Sequence, residues 1–144
     1  MRRRITQSIH VGNVEVGGNS NITVQSMTKT DTRDVKATTH EIKLLEEAGC
    51  EIVRCAVPDI EAAKALKEIK KQSKIPIVAD IHFHHQIALE AMKSGVDCLR
   101  LNPGNIRDPE KVKMVVQGAK DRKIPIRIGV IFGSLPPVGG IGKT

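Results

Sequence analysis

The chain has 144 residues, 40% of them apolar and 27% charged, with a formal charge of +7, a balance that fits one soluble globular domain. No run approaches the roughly 18 apolar residues that span a bilayer, and the opening MRRRITQSIH lacks the apolar segment a secretory leader needs after its basic start, so a cytoplasmic protein with no membrane partner is expected. With two Phe and neither Trp nor Tyr, the platforms on which unpaired bases stack are nearly absent, which argues against nucleic acid as a partner.

Cys50, Cys55 and Cys98 form an odd set without a C-x-x-C pair. Buried, reduced thiols are expected of them rather than a disulfide framework or a metal site.

Residues 9 to 16 with Gly17-Gly18 read as a small hairpin, expected to act as a lid. From Asn21 onward, short β-branched runs alternate with amphipathic segments. NITVQS (21 to 26), EIVRCAV (51 to 57), PIVADIH (76 to 82), DCLRLN (97 to 102) and PIRIGVIF (125 to 132) read as strands. Between them, Ile42, Leu45 and Ala48 share one helical face, as do Ile60, Ala63, Leu66 and Ile69, then Ile87, Ala88, Ala91 and Met92, then Val112, Val115, Val116 and Ala119. Gly49 and Gly95 are placed to end helices, and Asp108-Pro109 to open one as cap and first residue. The stretches beginning at Gly49 and Gly95 repeat one pattern, glycine, then an acid two residues on, then Arg54 or Arg100 five residues on.

Alternation of this kind implies a parallel sheet with right-handed crossovers. Splitting each strand by parity sets Val53, Cys55, Ile77, Ala79, Ile81, Leu99, Leu101, Ile126 and Ile128 on one side. The other side carries Arg54, Asp80, His82, Cys98, Arg100, Asn102 and Arg127; in the first strand Ile22 and Val24 oppose Thr23 and Gln25. Central strands of an open doubly wound sheet are covered on both faces and read apolar on both parities. One apolar side and one side that turns polar toward the strand ends fits a barrel, whose interior is lined by the inward parity and whose sites sit at the C-terminal mouth.

Arg54, Arg100 and Arg127 would converge on that mouth. Guanidinium groups keep their charge, so several together call for an anion, and a phosphate or diphosphate is the natural counterpart. Internal pairing with Asp80 is the bland alternative. Asp80 and His82 could serve as acid and base, or Asp80 could only orient an arginine. The turn Asn102-Pro103-Gly104-Asn105 offers backbone N–H groups at the same end. His82 and His84 resemble an H-x-H metal pair but lack a third ligand. The terminal VGGIGKT has Pro137 where a phosphate-binding loop has its first glycine, and reads as a tail.

The segments VQSMTKTDTRD, EIVRCAVPD, IPIVADIHF, LRLNPGNI and IRIGV, in this order over about residues 7 to 130, resemble the N-terminal barrel of the 4-hydroxy-3-methylbut-2-enyl diphosphate synthase family. The resemblance implies a partial TIM-type barrel of about five parallel βα units out of eight with an N-terminal β-hairpin. It also implies isoprenoid biosynthesis by the non-mevalonate pathway, through reductive conversion of 2-C-methyl-D-erythritol 2,4-cyclodiphosphate with ferredoxin or flavodoxin as electron donor. A [4Fe-4S] cluster, held in that family by a separate domain of a homodimer, has no ligands in this chain, and Cys50, Cys55 and Cys98 correspond to none of them. Substrate-binding positions carried over are Arg54, Asp80, His82, Arg100, Asn102, Arg127 and Ser134; no catalytic residue is singled out. Ile131 and Phe132 depart from the family pattern, replacing an asparagine and a small residue. The expected organisation is a barrel portion over residues 1 to 132 and an irregular tail over 133 to 144, with no iron-sulfur domain, a fragment not active alone. A metal-dependent barrel hydrolase, a pterin-binding transferase and an inert anion-binding fragment are the competing readings.

Overall fold

The computed structural model describes residues 9–17, 23–82, 84–102 and 108–128. In chain order its elements are β1 (Ile9–Val11), β2 (Val14–Val16), β3 (Gln25–Met27), α1 (Val35–Glu47), β4 (Ile52–Ala56), α2 (Ile60–Gln72), β5 (Ile77–His82), α3 (His85–Lys93), β6 (Cys98–Asn102), α4 (Pro109–Asp121) and β7 (Ile126–Ile128). The first two strands form an antiparallel hairpin, and the other five form one parallel sheet in the order β3-β4-β5-β6-β7. Strands that neighbour in sequence thus neighbour in space, with helices between them, which is a partial TIM-type barrel.

Helix starts follow from side chains that take up otherwise unpaired N–H groups. Asp34, Asp59 and Asp108 cap α1, α2 and α4 by accepting from the amides of Ala37, Ala62 and Glu110 at 3.1, 2.8 and 3.0 Å. Pro109 occupies the start of α4, as its fixed φ suits. Gly49 and Gly95 follow α1 and α3 with φ of +99° and +95°, the left-handed conformation that ends helices.

The repeated acid after each of these glycines has a common job. Glu51 accepts the Val24 N–H at 3.2 Å and Asp97 accepts the Ile77 N–H at 2.9 Å. Glu51 therefore takes the amide just ahead of β3 and Asp97 the first amide of β5, and Asp97 also pairs with Lys70 at 2.6 Å.

Parity divides the core as the sequence suggests. Val53, Cys55, Ile77, Ala79, Ile81, Leu99 and Leu101 pack outward beneath Ile42, Ala63, Leu66, Ile69, Ala88, Ala91, Met92, Val115 and Ala119 in one cluster. The inward residues Ile52, Val78 and Cys98 form a second cluster with Val11, flanked by Val14 and Val16. The hairpin is therefore a floor and not a lid: it closes the inner face at the end where the strands begin. Gly12 in its turn has φ of +60°, and a Cβ there would lie 2.9 Å from Pro76 and 3.1 Å from Asp97, both just ahead of strands.

Three finer expectations are corrected. Val116 is 50% and Val24 52% exposed, and Ala48 is exposed as the C-cap of α1. Val115 and Ala119 alone carry the buried face of α4, and Val24 precedes the ladder of β3, so neither Val116 nor Val24 has a helix over it.

Candidate functional site

Above the apolar floor the inward face carries Arg54, Asp80, Arg100 and Arg127 on the four adjacent strands β4 to β7, with Gln25 and Met27 on β3. Register places Asp80 beside Arg100 and Arg100 beside Arg127, while Met27 lies beside Arg54. Asp80 joins two of the arginines: its Oδ1 accepts from Arg100 Nη1 at 2.8 Å, and its Oδ2 lies 3.4 Å from Arg54 Nε. That second contact has the distance of an ion pair but not the alignment of a hydrogen bond, so the buried Arg54 Nε is left without a true acceptor. Arg54 Nη2 contacts Met27 Sδ at 3.5 Å, a weak acceptor.

Arg127 finds its partner elsewhere. Its Nη1 donates to Gln25 Oε1 at 2.6 Å. Gln25 and Arg127 sit on the first and last strands of the sheet, four strand spacings apart, which in a flat sheet is about 19 Å, more than the two side chains can span. The sheet therefore curls around this face and brings the inward side chains of its two ends together, as the layers of a barrel interior require.

Three guanidiniums against one carboxylate leave two positive charges in excess in a partly exposed cup, with Asp80 17%, Arg100 21% and Arg54 30% exposed. At this burial the arginines are neither fully hydrated nor neutralised. Such a cup attracts a multivalent anion through charge-assisted hydrogen bonds.

The structure thus brings Arg54, Asp80 and Arg100 into one cluster and holds Arg127 across the same face. His82 ends β5 with its side chain exposed, paired in register with Asn102 at the end of β6. Ser134, the turn residues 103 to 105, and Ile131 and Phe132 lie outside the described residues. Sequence reasoning missed Gln25 and Met27 as partners of the arginines. Parity put Gln25 on the polar side, but its meeting with Arg127 depends on curvature that no local pattern reports.

The rim beside the cup is stitched together by the loop after β3. Thr32 Oγ1 donates to the Ala56 carbonyl at 2.5 Å, and Thr28 donates its backbone amide to the Arg54 carbonyl at 2.9 Å. Glu41 accepts from the amides of Lys29 and Thr30 at 2.8 and 3.2 Å. Arg33 links Asp31 at 2.8 Å to Asp59 at 3.3 Å, and its hydrogen bond holds the Asp31 carboxyl below the usual range. These contacts tie the first two βα loops into one edge.

The cysteines do not suit an iron-sulfur cluster. Cys55 belongs to the outward cluster and Cys98 to the floor, and burial raises both thiols to about 11, which opposes the thiolate form that binds metal. Among the described residues no group of three His, Cys, Asp or Glu side chains is placed to hold a metal ion. Nor, among them, is any helix long and apolar enough to cross a membrane.

A family profile described as the GcpE TIM-barrel domain matches residues 6–138. The chain belongs to that family. Curated relatives include 4-hydroxy-3-methylbut-2-en-1-yl diphosphate synthase (flavodoxin) of Dehalococcoides mccartyi, 63% identical over 93% of this chain and 38% of the relative. The protein of the same name from Thermodesulfovibrio yellowstonii is 64% identical over 94% of this chain and 39% of its own length. This GcpE-type chain thus spans under two fifths of the relatives it matches. Among solved structures, 7,8-dihydropteroate synthase from Vibrio fischeri superposes with a TM-score of 0.63 at 14% identity, covering 85% of this chain and 48% of that one. That likeness establishes a shared barrel architecture.

Proposed function

We propose that this chain is the substrate-binding barrel portion of a 4-hydroxy-3-methylbut-2-enyl diphosphate synthase and that its cup holds 2-C-methyl-D-erythritol 2,4-cyclodiphosphate. The observation that carries the proposal is the curled inner face, where Arg54, Arg100 and Arg127 gather and the one carboxylate in contact with them, Asp80, pairs with Arg54 and Arg100 only. A cyclic diphosphate carries two negative charges on adjoining phosphoryl groups and matches the two in excess. Family membership at 54–64% identity to synthases supports the same reading.

In the overall reaction the cyclic diphosphate is opened and water is lost as two electrons, supplied by a flavodoxin or ferredoxin, and one proton enter. This chain's part is to bind and orient. Arg54 and Arg100 clamp the diphosphate while Asp80 keeps their planes fixed, Arg127 approaches from the far strand, and His82 with Asn102 stands at the strand ends nearest the opening. The [4Fe-4S] chemistry belongs to residues outside this chain. Ser134 is included in the proposed site from its motif.

Calorimetric titration with the cyclic diphosphate tests the reading. The chain should bind saturably and Arg100→Ala should weaken binding at least tenfold, the loss shrinking as salt rises. A folded wild-type chain that does not bind would overturn it, and tight pterin binding in its place would favour the transferase alternative.

A further inference from the structure

The three arginines of the cup are not held alike. Arg54 and Arg100 share the charge of Asp80, whereas Arg127 is held by a neutral amide, with no carboxylate within 4 Å among the described residues. Arginine only donates, so the acceptor must be the Gln25 carbonyl oxygen. The bond is short, comes from the far end of the sheet and is partly buried, so it fixes the direction of a long side chain that otherwise has many rotamers.

We infer that Gln25 is a positioning residue that aims Arg127 across the cup while leaving its charge available to the bound anion. A carboxylate would orient Arg127 equally well, but it would remove half of the excess positive charge. An aliphatic side chain would leave the charge and lose the aim. A neutral acceptor such as this amide does both. Arg127 stands beside Arg100 in register, so the uncompensated guanidinium is repelled by its neighbour until an anion arrives, and Gln25 holds it against that repulsion. This inference rests on the cup's being the diphosphate site, and it adds the reason one arginine is held by a neutral partner instead of a carboxylate.

The test uses the full chain with Gln25→Glu and Gln25→Ala, measuring cyclic diphosphate affinity by calorimetry and thermal stability in the absence of ligand. Gln25→Glu should raise Kd at least tenfold while the melting temperature stays equal or rises, because an ion pair replaces a neutral hydrogen bond. Gln25→Ala should lower the melting temperature and raise Kd by a smaller factor, about threefold. Stability and affinity then move in opposite directions for the acidic variant, which a purely structural glutamine would not produce. A Gln25→Glu chain that binds as tightly as wild type overturns the inference, as does one that fails to fold, since the ion pair should hold Arg127 at least as firmly. If the wild type binds and only the glutamate result fails, the diphosphate reading stands without this role for Gln25. If the wild type does not bind, both fall.

Discussion

The two faces of the parallel sheet are built from the same five strands, one residue out of step, and they answer opposite demands. Outward, Val53, Cys55, Ile77, Ala79, Ile81 and Leu99 are fully buried beneath four helices, where each Leu or Ile is worth about 1.5–3 kcal/mol of apolar burial. Inward, the buried apolar cluster among the described residues is the floor of Ile52, Val78, Cys98 and Val11. Above it the face carries partly exposed charge whose internal pairing is incomplete. The difference teaches that stability is concentrated on the outer parity and on the floor, while the upper inner parity gives up pairing to stay open for a partner. Substitutions on the two faces should therefore separate folding from binding.

The sharpest break should come from Leu66→Ala in α2, which empties a fully buried position of the outer cluster. A loss of roughly 2–5 kcal/mol in chemical denaturation is expected, with diphosphate affinity of the folded fraction unchanged. If affinity fell with stability, the faces would not be independent.

Asp80→Asn probes the inner face from within. It leaves Arg54 and Arg100 without their shared carboxylate, and at this partial exposure a loss of roughly 1–3 kcal/mol is expected. Saturating diphosphate stabilises both variants, because both bind it in the folded state, but it should stabilise Asp80→Asn by more than Leu66→Ala, since the anion also neutralises the arginines that this substitution leaves unpaired. Thermal melts with and without ligand separate the two cases.

Alkaline titration distinguishes the apolar layers from the cup. Burial lifts Cys55 and Cys98 from an ordinary 9.0 to about 11, so the unfolded chain releases these protons before the folded one does. The stability they contribute is complete below about pH 9 and is lost as pH rises through about 11. Denaturation midpoints should fall across that window, and the fall should be shallower in a Cys55→Ala, Cys98→Ala variant.

Val11→Ala in the hairpin should have the smallest effect, about 1–2 kcal/mol, because it thins a small cluster of buried side chains. Binding at the mouth should be untouched. Weakened binding would return the hairpin to the lid role its sequence first suggested.

Much of this division was legible in the sequence because strand parity has a period of two, so Arg54, Asp80, Arg100 and Arg127 fall on one side by counting. The caps at Asp34, Asp59 and Asp108 and the turns at Gly49 and Gly95 are local chemistry, and the last three of these five positions were readable at once. The hairpin's place under the sheet was not, because Val11 meets Ile52, Val78 and Cys98 only after the crossovers have set strand order. The Gln25–Arg127 contact was hidden for the same reason, being a product of curl across the whole sheet. Val116 misled because its spacing fits an amphipathic stripe wider than the face α4 actually buries, which is carried by Val115 and Ala119.

The most direct test of the cup is to follow the side-chain N–H signals of Arg54, Arg100 and Arg127 by nuclear magnetic resonance during titration with the cyclic diphosphate. All three should shift together with one common Kd, and the surface Arg33 should not move. Shifts confined to one arginine, or three unrelated affinities, would contradict a single shared anion site.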